Sequence, residues 1–293
     1  MKMKTKSKII GNVAIYSVLC LGGFVMLYPL IFMLLASFFS PIEYLSAELT
    51  LFPIAKEPTL KNIFFFLDGA NFEGMGVYLK NSVLRTVVYV IGTVLSTSLC
   101  GYAFARLRFK FKNFIFFGLL FFSMMPSTMS LIPQYLMYAK WPTLSGNGIL
   151  NTWLVYYIGL PGINIMGTFF VKQFIETIPD SIDQAAKIYG AGTLRIIFEV
   201  IMPLMRPAIA YISITTALSI WNDWSTGFFF TDDQELQMLP SMIAKLSTAS
   251  SSAVPDYPQI LSLGLVMTVP SLIIYAIFQK DIVECVATAG LKD

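Results

Sequence analysis

The 293-residue chain contains no histidine. That absence removes the usual general base of nucleophilic catalysis and a common nitrogen ligand for metals. Cysteine is nearly as scarce, limited to Cys20, Cys100 and Cys285. Their spacing fits no metal site, and three scattered thiols make no disulfide framework. Charge is the third shortage. Only 13% of residues are Asp, Glu, Lys or Arg, where a soluble domain carries roughly a quarter. There is also no G-x-x-x-x-G-K-[ST] phosphate loop, so an ATPase of that kind is excluded. The acids are scattered, and they offer no constellation that a membrane-embedded enzyme would need.

Apolar residues are abundant instead. They make up 56% of the chain, with 25 Phe and 14 Tyr, and mean hydropathy is +0.70. This composition predicts an all-α, multi-pass membrane protein. Six apolar runs lie near residues 9–39, 79–107, 113–139, 152–176, 201–230 and 258–281. Each can cross ~30 Å of hydrocarbon as a helix rising 1.5 Å per residue. They are too long for barrel strands. The first run is also longer than a cleavable signal core of about 7–15 residues, so it reads as an uncleaved span.

Basic residues orient the spans. Placing the N-terminus inside puts Lys2, Lys4, Lys6, Lys8, Arg106, Arg108, Lys110, Lys112, Lys172, Lys187, Arg195, Arg206, Lys280 and Lys292 in the cytoplasm, 14 of the 20 Lys and Arg. The bias predicts an N-in, C-in protein of a cell membrane. The polybasic start is a topogenic flank with incidental lipid contact. A net charge of +3 gives no reason to expect nucleic acid, and the basic run at 105–112 reads as a positive-inside anchor. The expected organisation is a first helix and external loop over 1–78. A core follows over 79–293, with five spans and a cytoplasmic stretch near 177–200. A second long outer loop, about 231–257, carries the small-residue tip "STASSSAVPDYP".

The cytoplasmic stretch contains "DQAAKIYGAGTLRIIFEVIMPLMRPAIA", Asp183 to Ala210. Pro179 suits a first helical turn, with Asp180 and Asp183 near the positive end of the helix dipole. Gly190 is a natural stop, and Thr193 is expected to cap a second helix. Pro203 and Pro207 should then bend the chain into the fifth span. Ile182, Ala185 and Tyr189 share a face at i, i+3, i+7 spacing. Such a face suits either a docking knob or an interfacial helix without a partner.

The order Ala185-Ala186, three residues, Gly190, nine residues, then Val200 to Pro203 resembles the EAA loop of ABC importer permeases. "NSVLRTVVYVIGTVLSTSLCGYAFARLRFKFKN" (81–113), "MMPSTMSLIPQY" (124–135), "LNTW" (150–153), "WND" (221–223) and "FQK…TAGLK" (278–292) are similar too. Together they resemble the carbohydrate-uptake, maltose-type permeases over about residues 79–293 plus the first span. The resemblance implies a type I importer permease fold and a non-catalytic subunit of an ATP-driven importer for a mono-, di- or oligosaccharide. It implies two cytoplasmic ATPase subunits using ATP and Mg, a homologous second permease and an extracytoplasmic sugar-binding protein. This chain itself would hold no cofactor. Asp183, Gln184, Ala185, Ala186, Tyr189 and Gly190 would form the ATPase-coupling site. Asp232, Asp233, Ser250 and Ser251 would meet the binding protein. Gln184 stands where the family has Glu, Tyr189 where it often has Asp, and Cys285 where Gly is common.

Trp221, Asn222 and Asp223 are candidate substrate-pathway groups, because charge inside a membrane is costly and faces a cavity or a partner. Asp223 could equally fix the fold through an interhelical hydrogen bond. Pro126, Pro133, Pro161, Gly162 and Pro270 are either hinges or packing kinks. A self-contained secondary transporter or channel is the main alternative. Such proteins often show internal repeats and several buried ionisable groups, and this sequence shows neither clearly.

Overall fold

A computed structural model of the protein describes residues 2–48, 50–64, 75–143, 148–159, 164–248 and 256–290. Among them there are helices and turns and no strands. The chain divides into two compact units, one formed by Met1–Met75 with Lys245–Val269, the other by Gly76–Ala244 with Pro270–Asp293.

In the first unit, α1 (Lys2–Ala36) exposes large apolar side chains between Val13 and Leu27, as a lipid-facing helix does. Short α2 (Pro41–Ser46) begins with Pro41 behind Ser40, whose Oγ accepts the Glu43 N–H. That is the expected chemistry of a helix start. Asn62 in α3 (Lys61–Phe64) donates through its side chain to the carbonyls of Ser37 and Phe39, and its backbone carbonyl accepts from the Ser262 hydroxyl.

The second unit opens with α4 (Met75–Arg106), 32 residues without a proline. Next come α5 (Lys112–Ser123), α6 (Leu131–Ala139), α7 (Leu154–Tyr157), α8 (Ile165–Thr177) and α9 (Asp180–Ile188). The chain continues through α10 (Thr193–Arg195), a π-helical turn at Ile196–Ile201, α11 (Met202–Leu204), α12 (Arg206–Trp221) and α13 (Ser225–Phe230). Two helices follow, α14 (Leu239–Thr248) and α15 (Tyr257–Gly290), each belonging in part to both units.

Among the described residues, three helical segments are long and apolar enough to cross a membrane: Ile15–Ala36, Gly76–Arg106 and Tyr257–Lys280. Two bent pairs raise the number to five if each is one span. The run expected at 113–139 is α5 and α6, bent by 87° around Pro126. Pro133 lies inside α6, and Pro270 is carried within α15 without ending it. The run expected at 152–176 is described as α7 and α8. Pro161 and Gly162 fall outside the described residues. The expected bend into the fifth span is present. The segments Thr193–Leu204 and Arg206–Trp221 meet at 86°, and Pro203 and Pro207 occupy first-turn positions where a missing N–H is tolerated.

α4 and α8 run side by side in the same direction. A Cβ placed on Gly167 would lie 3.1 Å from Thr97 Cγ2, and one on Gly101 would lie 2.4 Å from Val171 Cγ1. Further along, Arg106 reaches the Ile178 carbonyl. Lipid supplies little hydrophobic drive for helix association, so close backbone approach through small residues holds such pairs together. Around this contact Tyr102, Val171, Ile175, Ile196, Ile197, Ile201, Met205, Ala208 and Ile212 form a buried cluster. Alanine should therefore act with opposite sign at Gly118 of α5 and Gly101 of α4. A methyl group on Gly118 would meet nothing within 4 Å, so Gly118→Ala should gain up to about 1 kcal/mol of helix propensity. Gly101→Ala collides with Val171 and should lose about 1–3 kcal/mol. Thermal unfolding of the two variants in detergent should show the first holding or rising and the second falling by several degrees.

Candidate functional site

α9 is held at its first turn by the last residue of α4. Arg106 Nε donates to Asp183 Oδ2 at 2.6 Å, Nη1 pairs with Asp180, and Nη2 donates to the Ile178 carbonyl. Both helix dipoles favour this arrangement, since a cation ends α4 and two carboxylates begin α9. Asp183 is 7% exposed and Asp180 is 73% exposed. The Asp183 contact is thus the anchor, while the Asp180 contact is screened by water and contributes little.

The other end of α9 closes on a Schellman turn. Gly190 has φ +81, its N–H donates to Lys187, and the Ala191 N–H donates to Ala186. The cap expected from Thr193 is not made. Thr193 is itself the first residue of α10, and Gly192 stands at the cap position, because the turn consumes one residue fewer than that expectation requires.

The six coupling candidates divide between two faces. Asp183 is buried in its ion pair, and Ala186 is half-buried against the Ile196–Ile201 core. Gln184, Ala185, Tyr189 and Gly190 face outward. Ile182 is half-buried, so the face expected to join it with Ala185 and Tyr189 is only partly exposed. Ile188 joins the outward set at 84% exposure, next to Tyr189 at 90%. Two large apolar side chains therefore stand free on a short, firmly anchored helix.

A second ion pair lies towards the opposite end of α4. Arg85, 4% exposed, donates through Nη2 to Asp223 Oδ2 at 2.6 Å. The carboxylate of Asp223 also accepts from the Ser225 N–H and hydroxyl and from the Thr226 N–H and hydroxyl. The guanidinium lies over the rings of Tyr89 and Tyr156, 5.5 and 5.0 Å from their centroids. Cation–π contact of this kind suits an arginine removed from water. Asp223 thus ties the turn between α12 and α13 to α4, and both of its carboxylate oxygens accept hydrogen bonds. Trp221 is buried. Asn222 is exposed and donates to the Leu218 carbonyl. Trp224, which the sequence pattern did not single out, is also exposed.

The stretch after α13, expected to be an outer loop, is packed in its first part. Leu236, Gln237, Met238 and Leu239 are buried. Gln237 Nε2 donates to the Thr231 carbonyl and hydroxyl, and its Oε1 accepts from Ser241. From α4, Asn81 donates to the carbonyls of Glu235 and Gln237, and Ser82 accepts the Leu239 N–H. These bonds satisfy backbone groups that burial would otherwise strand. Asp232 and Asp233 remain exposed, their N–H groups gathered by the Asn151 side chain. Ser250 and Ser251 lie outside the described residues.

The family model for the binding-protein-dependent transport system inner membrane component matches residues 76–283. The chain belongs to that family, and is a non-catalytic membrane permease component. It is 29% identical to the arabinooligosaccharides transport system permease protein AraQ of Halalkalibacterium halodurans, over 92% of each chain. It is 26% identical to the diacetylchitobiose uptake system permease protein NgcG of Streptomyces coelicolor, over 94% of this chain and 88% of the relative. The fold matches a chain in the crystal structure of a bacterial ABC transporter involved in the import of the acidic polysaccharide alginate. Its TM-score is 0.74 at 19% identity, covering 94% of this chain and 97% of that one.

The Arg85–Asp223 geometry makes a stability prediction. Asp223→Ala leaves a cation buried without its counter-charge and should cost about 3–5 kcal/mol. Replacing both partners, as Arg85→Met with Asp223→Leu, should cost less than the single change. Thermal unfolding of the purified variants measures the difference.

Proposed function

We propose that this chain is a permease subunit of an ATP-driven importer for a carbohydrate. The names of the relatives, which concern diacetylchitobiose and arabinooligosaccharides, support a mono-, di- or oligosaccharide as cargo. The chain crosses the membrane six times with both ends in the cytoplasm, a topology supported by the distribution of Lys and Arg. It pairs with a homologous second permease. Two cytoplasmic ATPase subunits bind ATP with Mg, and an extracytoplasmic binding protein delivers the sugar. Asn222 contributes to the pathway wall, with Trp221 and Asp223 holding its surroundings. Asp232 and Asp233 meet the binding protein, together with Ser250 and Ser251.

One observation carries this function. α9 is anchored at its first turn by Arg106 and closed by the Gly190 turn, yet presents Ile188 and Tyr189 almost fully to solvent beside Ala185 and Gly190. An apolar pair exposed on an otherwise polar helix suits a contact surface. The small residues let a partner approach the helix backbone, and the apolar pair fills a cleft. Burying two such side chains is worth about 3–6 kcal/mol in total. The expected occupant is the ATPase.

Ala185→Trp and Tyr189→Ala test the contact from opposite sides, one by obstruction and one by loss of area. Each should reduce copurification of the ATPase at least tenfold while membrane levels of the chain stay unchanged. Normal ATPase recovery with both variants would refute the assignment. Deleting Ser250 and Ser251 with their neighbours at 247–253 should leave ATPase recovery intact. The same deletion should lower uptake, and normal uptake would remove that segment from the binding-protein contact.

A further inference from the structure

We infer that Arg106 is a positioning residue for coupling. It makes α4 the element through which movement of α9 reaches the segment at 231–241. The inference rests on the proposal that α9 meets the ATPase.

Four connections leave α9: two through the backbone, one through Ala186 packed on the Ile196–Ile201 core, and one through Arg106. Towards the N-terminus the backbone passes through Ile178 and Pro179 into α8, which is 13 residues long. Towards the C-terminus it passes through the Gly190 turn, the π-helical turn and the 86° bend before α12 begins. Those breaks interrupt the regular helical path between α9 and α12. The Arg106 connection is made by side-chain contacts near the first turn. Arg106 grips the Ile178 carbonyl, Asp180 and Asp183 together, so it holds the backbone entering α9 as well as its first turn. A planar guanidinium with several fixed donors resists both translation and rotation of what it holds, which a lysine would not.

Behind Arg106 stands one unbroken helix. From Arg106 back to Arg85 is about 31 Å at 1.5 Å per residue. Around that far end, Asn81, Ser82 and Arg85 are bonded to the carbonyls of Glu235 and Gln237, the N–H of Leu239 and the carboxylate of Asp223. A proline-free helix clamped at both ends transmits displacement along its axis. Arg106 is the clamp at the driven end, and the 231–241 segment is the load at the other.

The test is hydrogen exchange on the assembled complex with its ATPase in nanodiscs, with and without a non-hydrolysable ATP analogue and Mg²⁺. In the unmodified complex the nucleotide should change exchange at both 181–190 and 231–241. In Arg106→Gln the response at 181–190 should persist, while that at 231–241 should shrink at least fivefold. Asp183→Asn, which keeps the shape and removes the charge, should give an intermediate loss. Asp180→Asn, at an exposed partner, should give little. This order keeps the test open if Arg106→Gln folds poorly.

A full response at 231–241 in folded Arg106→Gln or Asp183→Asn would overturn the inference and leave the ATPase contact standing. So would loss of the response at 181–190 alongside that at 231–241, because Arg106 would then serve docking and not transmission. No response at 181–190 in the unmodified complex would overturn the ATPase contact itself. A response there with none at 231–241 would overturn transmission alone.

Discussion

A charge withdrawn from water must be matched where it lies, and much of the second unit is organised around two such matches. Arg85 and Arg106 sit on the same helix, and each closes onto a carboxylate from a distant part of the chain. Removing either partner would leave an ion in a low-dielectric setting at a cost of several kcal/mol. The two pairs therefore do more than add stability. They fix which surface of α4 faces α8 and α9 and which faces the 223–239 stretch. The apolar contacts around them are less selective, because hydrophobic burial has no direction.

Close approach and charge pairing depend on one another here. Gly101 lets α4 lie against Val171 of α8, and that proximity brings Arg106 within reach of the Ile178 carbonyl and Asp183. A bulkier residue at position 101 would separate the helices before the guanidinium could bridge them. The buried core of Ile196, Ile197 and Ile201 then closes under α9 from the other side. Ala186 is half-buried for that reason, while its neighbour Ala185 is exposed. The small residues of this motif thus do two jobs, one inward and one outward.

Much of this is legible in the sequence, because it depends on local chemistry. The apolar runs, the stop at Gly190, the acids of the first turn of α9 and the bend near Pro203 and Pro207 all follow from residues within a few positions of one another. The ion pairs are not legible. Arg85 and Asp223 are 138 positions apart, and Arg106 and Asp183 are 77 apart. Counting Arg106 among the positive-inside residues gives it a sufficient reason to exist and conceals its partner. An arginine within the apolar run of α4 is the available signal for Arg85. The packing of 231–241 is hidden differently. Its polar residues, which look like loop chemistry, bond to backbone groups and to one another inside the fold.

The π-helical turn at Ile196–Ile201 acts as a phase shifter. Such a turn holds one residue more than an α-turn, which corresponds to about 100° of rotation in a 3.6-residue repeat. Everything before it, α9 included, is therefore aimed differently from the way an uninterrupted α-helix would aim it. The direction in which Ile188 and Tyr189 point is encoded partly in the number of residues between Thr193 and Met205, and not only in their identities. A homologue with one residue fewer there could keep every side chain of the contact and still present it to the wrong quarter of space. Length in this segment thus carries geometric information of its own, separate from hydrophobicity or charge.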